Sequence, residues 1–117
     1  MSEFLYLYRR REAGRSPEKM QETMQKWTAW LKELGEKGHI KDRGHPLERA
    51  GKLVTGKQKI VTDGPFPETK DFIGGYTVIE AKGLDHAVQI SLGCPIFEVG
   101  GGVEVRPVAR TTRVTAG

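Results

Sequence analysis

Hydrophobic and polar positions along the chain fall into segments of different period. Phe4-Leu5-Tyr6-Leu7-Tyr8 is apolar on both alternating faces and predicts a strand buried on two sides. Ser16-Pro17 then offers an N-cap followed by proline at the first helical position. Met20, Met24, Trp27, Leu31 and Leu34 follow at spacings of four, three, four and three. That places them along one helical face, with Trp30 on the flank. Gly35 and Gly38 are expected to stop the helix. Leu53-Val54-Thr55 and Lys59-Ile60-Val61-Thr62, separated by Gly56-Lys57-Gln58, read as a short hairpin. Asp63-Gly64-Pro65-Phe66-Pro67 predicts a turn, because proline removes ladder donors and glycine and aspartate favour turns. Tyr76 to Ala81 is again apolar on both faces. Leu84, Ala87, Val88, Ser91 and Leu92 fit a shorter helix, ended by Gly93 and Pro95. Val103 to Val108 is the last strand, and Ala109 to Gly117 is expected to fray.

The order strand, helix, strands, strand, helix, strand predicts an α+β ferredoxin-like sandwich, βαββαβ with an extra hairpin. Two helices cover only one face of such a sheet. The first strand and the Tyr76 strand nonetheless carry large apolar groups on both faces. A second copy, packed sheet on sheet about a two-fold axis, is the simplest cover, so the chain is expected to be a homodimer.

A chain of 117 residues is long enough for one domain, residues 1–117, and too short for two with separate cores. No apolar run approaches the ~20 residues of a membrane span. The longest one near the N-terminus is Phe4 to Tyr8, so no signal peptide is expected. A lone cysteine, Cys94, cannot form an internal disulfide, which points to a reducing cytoplasm. The net charge of +4 is concentrated: Lys37 to Lys59 holds seven basic residues against Asp42 and Glu48, a net +5. Such a stretch attracts anions. It lacks the interleaved aromatics of a stacking platform and any basic recognition helix, so nucleic-acid binding is not expected.

The run Val61-Thr62-Asp63-Gly64-Pro65-Phe66-Pro67-Glu68-Thr69-Lys70-Asp71, followed by Gly74-Gly75-Tyr76, resembles the signature of the DGPF branch of the YCII-related proteins. Leu84-Asp85-His86-Ala87 and Val103-Glu104-Val105-Arg106-Pro107-Val108 resemble that branch too, and the likeness covers roughly Phe4 to Val108. The resemblance implies a ferredoxin-like subunit pairing into a dimeric α/β barrel in bacterial cytoplasm, with no settled reaction. Part of the wider family has a lyase-type activity on chlorinated hydroxyquinols that rests on a His–Asp pair. On this chain those two positions fall near Trp27 and on Cys94. Both acid–base groups are replaced, so the resemblance does not carry that chemistry here.

The remaining candidates are few. Asp63 heads the expected turn, where a carboxylate accepts a proton if burial or a neighbour raises its pKa, or else caps backbone amides. Glu68 offers a second acid–base group and Lys70 a hold on an anionic substrate. His39, at the start of a strand, and His45, in a Gly-His-Pro loop, carry imidazoles suited to proton transfer near neutral pH. Glu104 and Arg106 share a strand face, where they pair at a dimer edge or Arg106 binds a carboxylate. No His-Glu-x-x-His or Cys-x-x-Cys spacing occurs, so no metal or other cofactor is predicted. Two expectations stand side by side. One is a homodimeric enzyme or binding protein for a small anionic or phenolic molecule, centred on a cleft near the Asp63 turn. The other, implied by the DGPF resemblance, is a regulatory accessory of an extracytoplasmic-function sigma factor.

Overall fold

The computed structural model describes residues 1–11, 16–64 and 71–109. Along the chain lie β1 (Ser2–Arg11), α1 (Pro17–Glu36), β2 (Ile40–Asp42), β3 (Gly51–Thr55), β4 (Ile60–Gly64), β5 (Asp71–Ala81) and α2 (Leu84–Ser91). A 3-10 turn (Pro95–Val99) and β6 (Gly102–Pro107) complete it. β2, β5, β1 and β6 form an antiparallel sheet in that order, while among the described residues β3 and β4 pair only with each other. Two helices on an antiparallel sheet of this order are compatible with a ferredoxin-like fold, with β3–β4 spliced in as the extra hairpin.

Local sequence explains the helix limits. The Ser16 hydroxyl accepts the Lys19 amide at 3.2 Å, satisfying one of the free donors of the first turn. At the other end Gly38 takes φ +78°, and the amides of Gly38 and His39 reach back to the carbonyls of Gly35 and Leu34. Gly35 itself remains inside the last turn of α1.

Strand alternation then divides the sheet into two faces. Phe4, Tyr6 and Tyr8 of β1 stand opposite Ile79, Thr77 and Gly75 of β5, and all six are buried. Trp30 and Leu34 of α1, Ala87 of α2, and Cys94 with Ile96 close the core over them. Tyr6 stacks on Trp30 with ring centroids 6.3 Å apart, and its hydroxyl donates to the Ala87 carbonyl at 2.5 Å, so the aromatic body is buried without an unpaired polar tip. On the other face Leu5 and Leu7 stand opposite Val78 and Tyr76 and remain half-buried. Glu104 and Arg106 of β6 lie beside Leu7 and Leu5 on that same face.

Several expectations need correction. Asp63 and Gly64 belong to strand β4 rather than to a turn, since both pair across the hairpin with Lys52 and Gly51. Pro65 to Pro67, with the rest of that signature as far as Lys70, lie outside the described residues, as does the expected tail from Arg110 onward. β5 starts five residues before Tyr76. The 3-10 turn was not expected; Pro95, read as a terminator, opens it. Trp30 is central to the core, whereas Met20 and Met24 are 51% and 68% exposed. The reason is that only the second half of α1 lies over sheet and 3-10 turn, and its first half overhangs a cleft.

Candidate ligand-binding cleft

The cleft has a volume of about 430 Å³ and lies between the first half of α1 and the sheet, where β1, β5 and residues 43–46 meet. α1 supplies Met20, Met24, Trp27 and Leu31, four of the five residues whose helical spacing reads as a core stripe. Tyr8 and Thr77 come from the helix-facing side of the sheet, and Arg10, Arg43 and His45 supply the basic groups. Among the described residues no acidic side chain lines the cleft.

The wall formed by residues 43–46 is fixed by local chemistry. The Asp42 carboxylate accepts the Gly44 amide at 2.9 Å, and Gly44 turns the chain with φ +71°. A Cβ on Gly44 would collide with the Tyr76 carbonyl oxygen, so the residue must be glycine for close approach as well as for φ. The chain then runs beside β5: the Leu47 amide donates to the Gly74 carbonyl at 2.8 Å and the Tyr76 amide to the His45 carbonyl at 3.3 Å. Gly75 permits this contact, since a Cβ there would sit 3.1 Å from the His45 carbonyl oxygen. The Gly74-Gly75-Tyr76 motif therefore works as a landing strip for the His45 loop. The imidazole of His45 lies edge-on to Tyr76, with ring centroids 6.3 Å apart.

A chain of hydroxyls ties the sheet to the same loop. Tyr8 Oη donates to Thr77 Oγ1 at 2.7 Å, and Thr77 Oγ1 donates to the Arg43 carbonyl at 3.0 Å. Burial pushes the Tyr8 phenol up, so it stays protonated and serves as a fixed structural donor. Trp27 meets Tyr8 edge to face at 4.7 Å, and its Nε1 is buried without a hydrogen-bond partner. Trp27, near which the resemblance places a histidine in some relatives, is an indole that can pack and donate but cannot transfer a proton. Cys94, at the second of those positions, is buried outside the cleft lining, and burial pushes its thiol up to about 12, which makes it a poor nucleophile.

Of the candidate catalytic and substrate-binding residues that lie among the described residues, the cleft takes in only His45. Asp63 lies on β4 with its side chain 78% exposed and pairs with Lys52 across the hairpin. His39 sits at the other end of α1, where its Nδ1 lies 3.2 Å from the Glu80 carbonyl and its ring 5.5 Å from that of His86. Arg106 lies 3.6 Å from Glu104, which also takes the Arg9 guanidinium at 2.9 Å; this row belongs to the open sheet face. Glu68 and Lys70 lie outside the described residues. Asp63, His39 and Arg106 are therefore not assembled around His45. Sequence reasoning missed Arg10 and Tyr8 as cleft residues. The signal was present in strand parity, because Tyr6, Tyr8 and Arg10 fall on the same side of β1.

The geometry defines a small α+β protein with one sheet face under helices, one face open, and a cationic, aromatic cleft beneath the start of α1. The chain belongs to the YCII-related family: the model of the YCII-related domain matches residues 2–112. No curated protein matches the chain. Among the described residues no helix is long and apolar enough to cross a membrane, and no group of three or more His, Cys, Asp or Glu side chains is placed to hold a metal ion.

Proposed function

We propose that the cleft binds a small anionic or phenolic molecule, with His45 as the group that exchanges a proton with it. The carrying observation is the lining itself: Trp27, Tyr8 and methionines beside Arg10, Arg43 and His45. Apolar walls with a few placed polar groups are the usual form of a small-molecule site. This reading takes the chain as a DGPF-type member working as a homodimer, closed over Leu5, Leu7, Tyr76 and Val78. Asp63 enters the reading only through a second protomer's hairpin. Salicylate, which carries both a carboxylate and a phenol, is a suitable probe, read by quenching of Trp27 fluorescence. Saturable quenching in the wild type, and weakened or pH-insensitive binding in His45→Gln, supports the proposal. A wild type that shows no saturable quenching, or a His45→Gln variant that titrates identically, rejects it.

A second reading keeps the DGPF-type accessory role beside a sigma factor. The β3–β4 hairpin favours it, since Leu53, Val54, Ile60 and Val61 are each 45–58% exposed on both of its faces. An isolated two-stranded hairpin is marginally stable in water, and a protein contact would cover it. Capture of a purified extracytoplasmic-function sigma factor by the wild type, and not by Val54→Lys with Val61→Lys, would support this second reading.

A further inference from the structure

β1 and β5 do not pair evenly. Tyr8 stands opposite Gly75, but Arg9 stands opposite Ile73, so Gly74 is an extra residue on β5. This is a β-bulge, and a bulge re-aims the side chains that follow it. Beyond the bulge Arg10 still shares the helix-facing side with Tyr8 and lines the cleft, while Arg9 goes to the open face and pairs with Glu104. The stem of Arg10 crosses directly over Gly74: a Cβ on that glycine would lie 2.5 Å from Arg10 Cδ and 3.2 Å from its Cγ. Gly74 does not have a positive φ, so its backbone would accept alanine, and the three atoms nearest to such a Cβ all belong to the Arg10 side chain.

We infer that Arg10, laid into the cleft across the bulge at Gly74, is the residue that makes the site select an anion attached to an aromatic body. Gly74 is the positioning residue for it. This inference rests on the reading of the cleft as a binding site and adds what sets its charge preference. A guanidinium reaching a carboxylate or sulfonate beside an indole and a phenol ring makes charge-assisted hydrogen bonds in a partly dry setting, where they count for more than in water. Arg43 is exposed and held through its backbone carbonyl by Thr77, so its side chain is less restrained than the half-buried Arg10.

Two fluorescent probes separate charge from shape. 1-Anilinonaphthalene-8-sulfonate and N-phenyl-1-naphthylamine share the same ring system, and only the first carries an anion. The wild type should bind the sulfonate roughly tenfold or more tightly than the neutral amine, as expected for one charge-assisted contact. Arg10→Met keeps the length of the stem and should bring that ratio close to one. Gly74→Ala leaves every charge in place, yet should lower the ratio severalfold by pushing the stem aside. Circular dichroism checks the fold of both variants. Equal wild-type affinities, or a ratio that survives Arg10→Met, overturns the role of Arg10. A ratio untouched by Gly74→Ala overturns the role of the bulge. Failure of the wild type to bind either probe overturns the cleft itself along with this inference.

Discussion

Gly44→Ala tests whether the His45 loop is held against β5 by backbone shape rather than by side-chain contacts. The native φ of +71° disfavours alanine by roughly 1–2 kcal/mol. The new Cβ would also strike the Tyr76 carbonyl oxygen, and no rotamer relieves a clash between two atoms fixed by backbone. Residues 43–47 must then lift away. Lifting breaks the bonds from Leu47 to Gly74 and Tyr76 to His45, and the Thr77 hydroxyl loses the Arg43 carbonyl. At about 1 kcal/mol each, three lost bonds come to roughly 3 kcal/mol. The two costs do not add, because a detached loop is free to leave the left-handed region, so the expected loss is about 3 kcal/mol. Gly38→Ala is the matched control: φ there is +78°, but a Cβ meets nothing within 4 Å, so only the conformational cost of about 1–2 kcal/mol remains. Urea unfolding followed by tryptophan fluorescence reads both variants, at one fixed protein concentration in case association contributes. If Gly44→Ala unfolds no more easily than Gly38→Ala, the loop is not clamped in the way described. Salicylate quenching adds a second readout, since Gly44→Ala removes His45 from the cleft and Gly38→Ala does not.

Two further outcomes follow from the core and the open sheet face. The Cys94 thiol, with an ordinary value of 9.0, is pushed by burial up to about 12 in the folded chain. Between those values the unfolded chain releases a proton that the folded chain keeps, so stability is intact below pH 9 and declines above it. The thiol's share of the decline is about 1 kcal/mol at pH 10, and Cys94→Ala should lose that share; identical alkaline profiles for the two proteins would refute it. Leu5→Gln with Leu7→Gln removes apolar surface from the open face and touches no residue of the helix-covered core. Sedimentation should show a dimer for the wild type at micromolar concentration and a folded monomer for the variant, whereas a monomeric wild type or an unaffected dimer refutes pairing through this face.

Much of the fold is legible in the sequence because the relevant signals are local. Ser16-Pro17 marks the start of α1, and the alternation of Phe4, Tyr6 and Tyr8 with Leu5 and Leu7 marks a two-sided strand. Helical spacing of Met20, Met24, Trp27 and Leu31 correctly puts them on one face. Spacing cannot say what that face meets, and here its first half meets a cleft instead of a core. Asp63 shows the converse limit. Its signature is the most distinctive run in the chain, yet the carboxylate stands on an exposed hairpin strand beside Lys52, because sequence proximity to prolines does not fix where a strand ends.

The bulge explains why the cleft was harder to read than the sheet. Period-two alternation assigns each strand residue to a face only while pairing is regular, and one extra residue on β5 reverses the assignment for everything beyond it. Were Gly74 paired regularly opposite Arg9, the parity of β5 that keeps Gly75, Thr77 and Ile79 under the helices would bring Ile73 to the helix side opposite Arg10, and an isoleucine would compete with the guanidinium stem for the same space. With Gly74 bulged out of the ladder, Phe72 falls opposite Arg10 and Ile73 moves out, where it is 37% exposed. The same glycine presents its carbonyl to Leu47, so the residue that seats Arg10 also anchors the loop bearing His45. A change at Gly74 should therefore disturb Arg10 and His45 together. A change at Gly44 should release His45 and leave Arg10 in place, so that it weakens binding of salicylate yet preserves the preference for the sulfonate probe over its neutral counterpart. If Gly44→Ala abolished that preference as fully as Arg10→Met, anion selection would belong to the loop and not to the bulge.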